Sequence, residues 1–99
     1  MRIYIAGKIT GNPNYKEQFA AAEERLSKLG YTVVNPVMEE GYPYRYYINV
    51  GLRKLGHCDA IYLLRNWRRS KGARLERKYA KTVGMKIIKE QRKQKERAR

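Results

Sequence analysis

The stretch Cys58-Asp-Ala-Ile-Tyr-Leu-Leu64 constrains this chain more than any other. It is a short apolar run rich in strand formers with charge on both sides, and it reads as a buried strand. The residues that follow turn it into half of a site. Ser70 reads as a helix N-cap, with Lys71, Gly72 and Ala73 in the first turn. Strand, glycine-containing loop and helix start together aim unpaired backbone N–H groups at one point, where a phosphate or carboxylate can sit. Glu76, just inside that helix, is the only acidic residue between Asp59 and Glu90. A surface glutamate on a helix usually has a basic residue three or four positions away. Here those positions hold Gly72, Ala73, Tyr79 and Ala80, so the carboxylate is expected to look over an open shelf. Spacing alone fits a solvated glutamate in a basic segment equally well.

The rest of the chain supplies the frame. Arg2-Ile-Tyr-Ile-Ala6 reads as a first strand and Gly7-Lys-Ile-Thr-Gly11 as the loop after it, though the loop is neither a Walker A sequence nor GxGxxG. Asn14 is a candidate cap for a helix whose apolar positions Tyr15, Phe19, Ala22, Leu26 and Leu29 repeat at helical spacing, and Gly30 stops it. Tyr31-Thr-Val-Val34 is a second strand. A helix over 44–55 follows, with Tyr44, Ile48, Leu52 and Leu55 along its apolar edge and Gly51 interrupting it. A glycine there implies close packing or room for a ligand. The tyrosines at 42, 44, 46 and 47 either pack on their own domain or stack on a base. A helix over 70–83 and a last strand over 86–88 complete the order β-α-β-α-β-α-β.

That alternation predicts an α/β chain, a Rossmann-like or flavodoxin-like three-layer fold with a four-stranded parallel sheet. Residues 1–89 form the domain and residues 90–99 a basic tail or helix extension. In such sheets ligands bind beyond the carboxyl ends of the strands. The loops after Ala6 and Leu64 both emerge there, so Lys8, Thr10, Trp67, Ser70 and Glu76 are expected to converge.

Charge narrows the ligand. The net charge of +14 is unevenly placed. Arg65, Arg68, Arg69, Lys71, Arg74, Arg77, Lys78 and Lys81 stand against Glu76 alone, and seven more cations follow from Lys86 to Arg99. Such a field concentrates phosphorylated ligands and equally attracts nucleic acid. One cysteine and one histidine, adjacent at 58 and 57, exclude a disulfide framework and argue against a structural zinc site. No apolar run is long enough to cross a membrane, and neither a metal nor a cofactor is expected. The location expected is the cytoplasm, the host's for a phage-encoded chain.

The residues Tyr4-Ile-Ala-Gly-Lys-Ile-Thr-Gly11, Cys58 to Leu64 and Trp67-Arg-Arg-Ser-Lys-Gly-Ala-Arg-Leu-Glu76 resemble the nucleoside 2-deoxyribosyltransferase-like superfamily, closest to its small, uncharacterised branch common in phages, prophages and bacteria. The likeness runs from Met1 to about Glu90. It implies that Glu76 attacks the anomeric carbon of a 2-deoxyribosyl group and that Tyr4 hydrogen-bonds and orients it. Gly7, Lys8, Ile9, Thr10, Trp67, Ser70, Lys71 and Gly72 would then bind substrate. Ser70 matches the serine that contacts a 5-phosphate in the N-hydrolase relatives, which favours a nucleotide over a nucleoside. Relatives assemble as dimers or larger, so a homo-oligomer is implied. One position departs: where active relatives carry an aspartate that holds the leaving base, this chain has Gly51. Three readings remain: a nucleotide N-glycosidase or transferase, a non-catalytic binder of a nucleotide or nucleotide-derived signal, and a nucleic-acid binder using the basic helix and tail.

Overall fold

The computed structural model of the chain describes residues 1–37 and 41–91. Strands β1 (Arg2–Ala6), β2 (Thr32–Val34), β3 (Ala60–Leu63) and β4 (Lys86–Lys89) alternate with helices α1 (Tyr15–Lys28), α2 (Tyr44–Leu55) and α3 (Lys71–Thr82). One turn of 3-10 helix, Trp67–Arg69, stands where a plain loop was expected before α3. Every strand pairing is parallel and the sheet order is β2-β1-β3-β4. The alternation therefore produces the four-stranded α/β sheet it implied.

Side-chain alternation along β1 decides which helix each residue meets. Ile3 and Ile5 enter the layer that buries Phe19, Ala22 and Leu26 of α1. Tyr4 and Ala6 enter the opposite layer, against Leu55 of α2 and Ala73 and Ala80 of α3. β3 repeats the division, with Ala60 and Tyr62 on the α1 side and Ile61 and Leu63 on the other. The result is three layers, and the period of two drives the Tyr4 ring into the one shared with α2 and α3.

β2 and β3 flank β1 on opposite sides, so the loops leaving β1 and β3 diverge and open a crevice at the carboxyl edge. Asn66 fixes its width. Its carbonyl accepts the Lys8 N–H at 3.1 Å and its amide donates to Gln18 at 3.1 Å, an oxygen that also takes the Asn12 amide at 2.9 Å. A Cβ at Gly7 would lie 2.6 Å from Leu64 Cδ1, so only glycine lets the exit of β1 pass this close to β3. At the other end of β1, Asp59 accepts the Arg2 N–H at 2.8 Å, the structural role its place before the central strand suggests.

Some expectations fail locally. Leu29 does not extend the buried stripe of α1: the helix ends at Lys28, and Leu29 is its C-cap, 74 % exposed. Gly30, at φ +98°, turns the chain directly after it. Asn14 occupies the N-cap of α1, but its side chain makes no capping bond. Tyr44 is exposed rather than part of a buried edge. Glu90, first residue of the expected tail, is fastened to the fold by Arg25 at 2.6 Å and by the Arg65 N–H at 2.9 Å. Residues 92–99 of that tail lie outside the described residues. Among the described residues, no helix is long and apolar enough to cross a membrane.

Candidate functional site

α3 is strongly amphipathic, and Ala73, Glu76 and Ala80 form its buried stripe. Glu76 thus holds a core position, 9 % exposed, directly above the Tyr4 side of β1. The Tyr4 hydroxyl donates to Glu76 Oε2 over 2.6 Å. The ion pairs among the described residues, Arg25–Glu90 and Lys28–Glu24, lie elsewhere, so no described cation pairs with this carboxylate. Burial pushes its pKa from the ordinary 4.5 up to about 7, and the Tyr4 hydrogen bond pulls it partly back. Burial, then the facing carboxylate, drives the Tyr4 phenol far above its ordinary value, so Tyr4 remains a donor. The carboxylate does not look over an open shelf. It is enclosed.

Gly51 completes the group. A Cβ there would lie 2.6 Å from Glu76 Oε2 and 2.9 Å from the Tyr4 hydroxyl. Position 51 therefore abuts the pair, and the pair fills the space that a side chain there would need. Close approach explains a glycine in the middle of α2.

These residues line a cavity of about 390 Å³, a size suited to a small molecule. Gly7, Ile9 and Thr10 from the loop after β1 form one wall, and Ser70, Gly72 and Ala73 at the start of α3 another. Tyr44, Tyr47, Ile48 and Lys54 of α2 line it too, as do Pro36, Val37 and Tyr42. Glu76 is the only carboxylate, and Lys54 the only cationic side chain, among the described residues that line it. Tyr42 stacks on Tyr46 with ring centroids 4.5 Å apart, and Tyr47 meets both edge-on, so the aromatic cluster packs on itself.

The N-terminus of α3 supplies donors. Ser70 Oγ accepts the Ala73 N–H at 3.0 Å, the N-cap its sequence position predicts. The amides of Lys71 and Gly72 have no acceptor within the helix. Gly72 is packed so closely that a Cβ would lie 3.2 Å from Ile48 Cδ1, which keeps its backbone bare at the cavity wall.

Of the expected site residues, Tyr4, Gly7, Ile9, Thr10, Ser70, Gly72 and Glu76 meet at this cavity, and Lys8, Trp67 and Lys71 do not line it. The Lys8 ammonium donates to the Arg69 carbonyl at 3.3 Å, tying the loop after β1 to the 3-10 turn. That turn carries Trp67 away from the cavity, so the expected convergence does not include it. Its ring packs on the α3 side of the sheet, with the Arg68 and Arg77 guanidinium groups 5.5 Å and 5.6 Å from the ring centroid. Sequence reasoning missed Lys54, which helical periodicity places one turn beyond Gly51. It also missed the Gln18–Asn66 bridge, for which the chain carries no local signal. Among the described residues, no three His, Cys, Asp or Glu side chains cluster as metal ligands.

A family model described as Domain of unknown function (DUF4406) matches residues 1–89. No curated protein matches the chain.

Proposed function

We infer the function of this chain, which belongs to the DUF4406 family, from the site itself. The reading it supports best is a nucleotide-processing protein that acts on the N-glycosidic bond with Glu76 as nucleophile. The observation that carries it is the Tyr4–Glu76 pair: a buried carboxylate with no cation paired to it among the described residues, held by one 2.6 Å hydrogen bond at the wall of a cavity. A merely structural carboxylate in a core position would be matched by a cation or by several donors.

In this reading the sugar C1′ lies against Glu76, and the 5-phosphate meets the Lys71 and Gly72 amides beside Ser70. Tyr4 occupies Oε2, so the other oxygen attacks C1′ as the C1′–N bond breaks. The base leaves with the bonding pair and takes a proton from water. Water, or a second base, then displaces the glutamyl ester and regenerates the carboxylate. The likeness to deoxyribosyltransferases and N-hydrolases supports the same chemistry.

Gly51 favours a second reading, a binder that does not turn its nucleotide over. With no described carboxylate other than Glu76 in the cavity, the leaving base lacks a general acid, typically worth about 10²–10⁴-fold. One panel separates the two. Deoxynucleoside 5-monophosphates are incubated with the protein alongside a pyridinium riboside monophosphate, whose base departs without a proton, and free base is quantified. Base release that Glu76→Gln abolishes supports catalysis. A ligand that raises Tm and is recovered intact supports binding. Neither release nor a thermal shift from any nucleotide refutes both.

A further inference from the structure

We propose that the outward face of α3 is a second binding surface, one that takes the phosphodiester backbone of a nucleic acid independently of the cavity. α3 divides its charges by face. Its buried stripe carries Glu76, whereas Arg74, Arg77, Lys78 and Lys81 share one shallow groove with Trp67 and Thr82. Every pair among these cations at three- or four-residue spacing is like-charged, an arrangement that destabilises a helix. No carboxylate lines the groove, and the described ion pairs use other cations. An ordinary solvated face interleaves both signs. The repulsion here is left for an external anion to relieve.

Trp67 identifies the kind of anion. The Arg77 guanidinium lies 5.6 Å and that of Arg68 5.5 Å from its ring centroid. A guanidinium held over an indole keeps a fork that fits the paired oxygens of a phosphate. It also occupies the ring, so contact is with backbone rather than with a stacked base. Arg74 and Lys81 are seven residues apart, roughly 10 Å along a helix axis. Three nucleotide steps of one strand in a duplex cover about the same distance.

The test is fluorescence anisotropy of a short labelled DNA duplex over a series of salt concentrations. The background is the full chain with the terminal cations neutralised (Arg92→Gln, Lys93→Gln, Lys95→Gln, Arg97→Gln and Arg99→Gln), which removes any contribution of that segment. This background is expected to bind. Adding Arg74→Gln, Lys78→Gln and Lys81→Gln should reduce the slope of log K against log salt by about 2–3, near 0.9 for each lost phosphate contact. Affinity at low salt should fall at least tenfold, with Tm unchanged or raised because like charges are removed. Glu76→Gln in the same background should bind the duplex unchanged, which keeps this surface separate from the cavity reading. No binding by the background chain, an unaltered slope, or equal competition by polyglutamate would each overturn the proposal.

Discussion

Replacing Glu76 by glutamine tests the site through folding stability, before any substrate is known. The folded chain holds the Glu76 proton more tightly than the unfolded chain, because burial lifts the pKa from 4.5 to about 7. For a raised pKa, the stabilisation is fully present below the unfolded value and is lost as pH rises through the folded one. The window therefore runs from about 4.5 to about 7. At about 1.4 kcal/mol per pH unit, ionisation across it removes about 3 kcal/mol of stability. Solvent screening discounts this little, since the residue is 9 % exposed. Glutamine keeps the shape and still accepts the Tyr4 hydrogen bond, but never ionises. Glu76→Gln should match the parent near pH 4.5 and exceed it by about 3 kcal/mol near pH 8. For a domain of this size that is on the order of 15 °C in Tm. Urea denaturation followed by circular dichroism at both ends of the window measures it. A variant less stable than the parent near pH 8, or a difference that ignores pH, would show that an unseen cation satisfies the carboxylate.

Further outcomes follow from the same groups. If Glu76 is the nucleophile, kcat/KM should rise through an acid limb near pH 7, because the attacking form is ionised. Tyr4→Phe removes the hydrogen bond that lowers the Glu76 pKa, so that limb should move to higher pH; a pH profile that stays in place removes Tyr4 from the role. Ser70→Ala should cost about 1 kcal/mol through the lost N-cap, read from the urea midpoint. Ser70→Asp should keep the cap but lose binding of phosphorylated ligands, and calorimetry showing undiminished affinity would move the phosphate elsewhere.

The fold was legible because its signals are local and repeated. Apolar runs of strand length and helical stripes alternate from Arg2 to Ile88, and parallel topology follows from that alternation. The Ser70 cap was legible for the same reason: a hydroxyl beside a helix start needs no knowledge of distant residues. Trp67 was not, since three residues of 3-10 helix decide its direction and their sequence reads equally well as loop. Leu29 misled because a stripe one residue longer than its helix has the same periodicity. The burial of Glu76 needed both α3 and β1: the small residues at 72, 73 and 80 predict space around it, but only packing shows that the sheet fills that space. Gln18 and Asn66 meet through tertiary structure alone.

The glycine in α2 and the buried pair depend on each other, and that dependence has a sign. Alone, Gly51→Ala gains about 1 kcal/mol of helix propensity. It also places a methyl 2.6 Å from Glu76 Oε2 and 2.9 Å from the Tyr4 hydroxyl, an overpacking that costs about 1–3 kcal/mol. The carboxylate has little freedom to retreat, because its Tyr4 hydrogen bond and the α3 backbone fix it from two sides. The net effect in the parent chain is a loss on the order of 1 kcal/mol, as propensity and overpacking partly cancel. With Glu76→Ala the nearer obstacle is gone and the Tyr4 phenol, without its acceptor, moves into the vacated space. Gly51→Ala should then become stabilising, and the double-mutant cycle should give a coupling of about 1–3 kcal/mol. A coupling near zero would mean that the glycine serves the backbone of α2 rather than the pair.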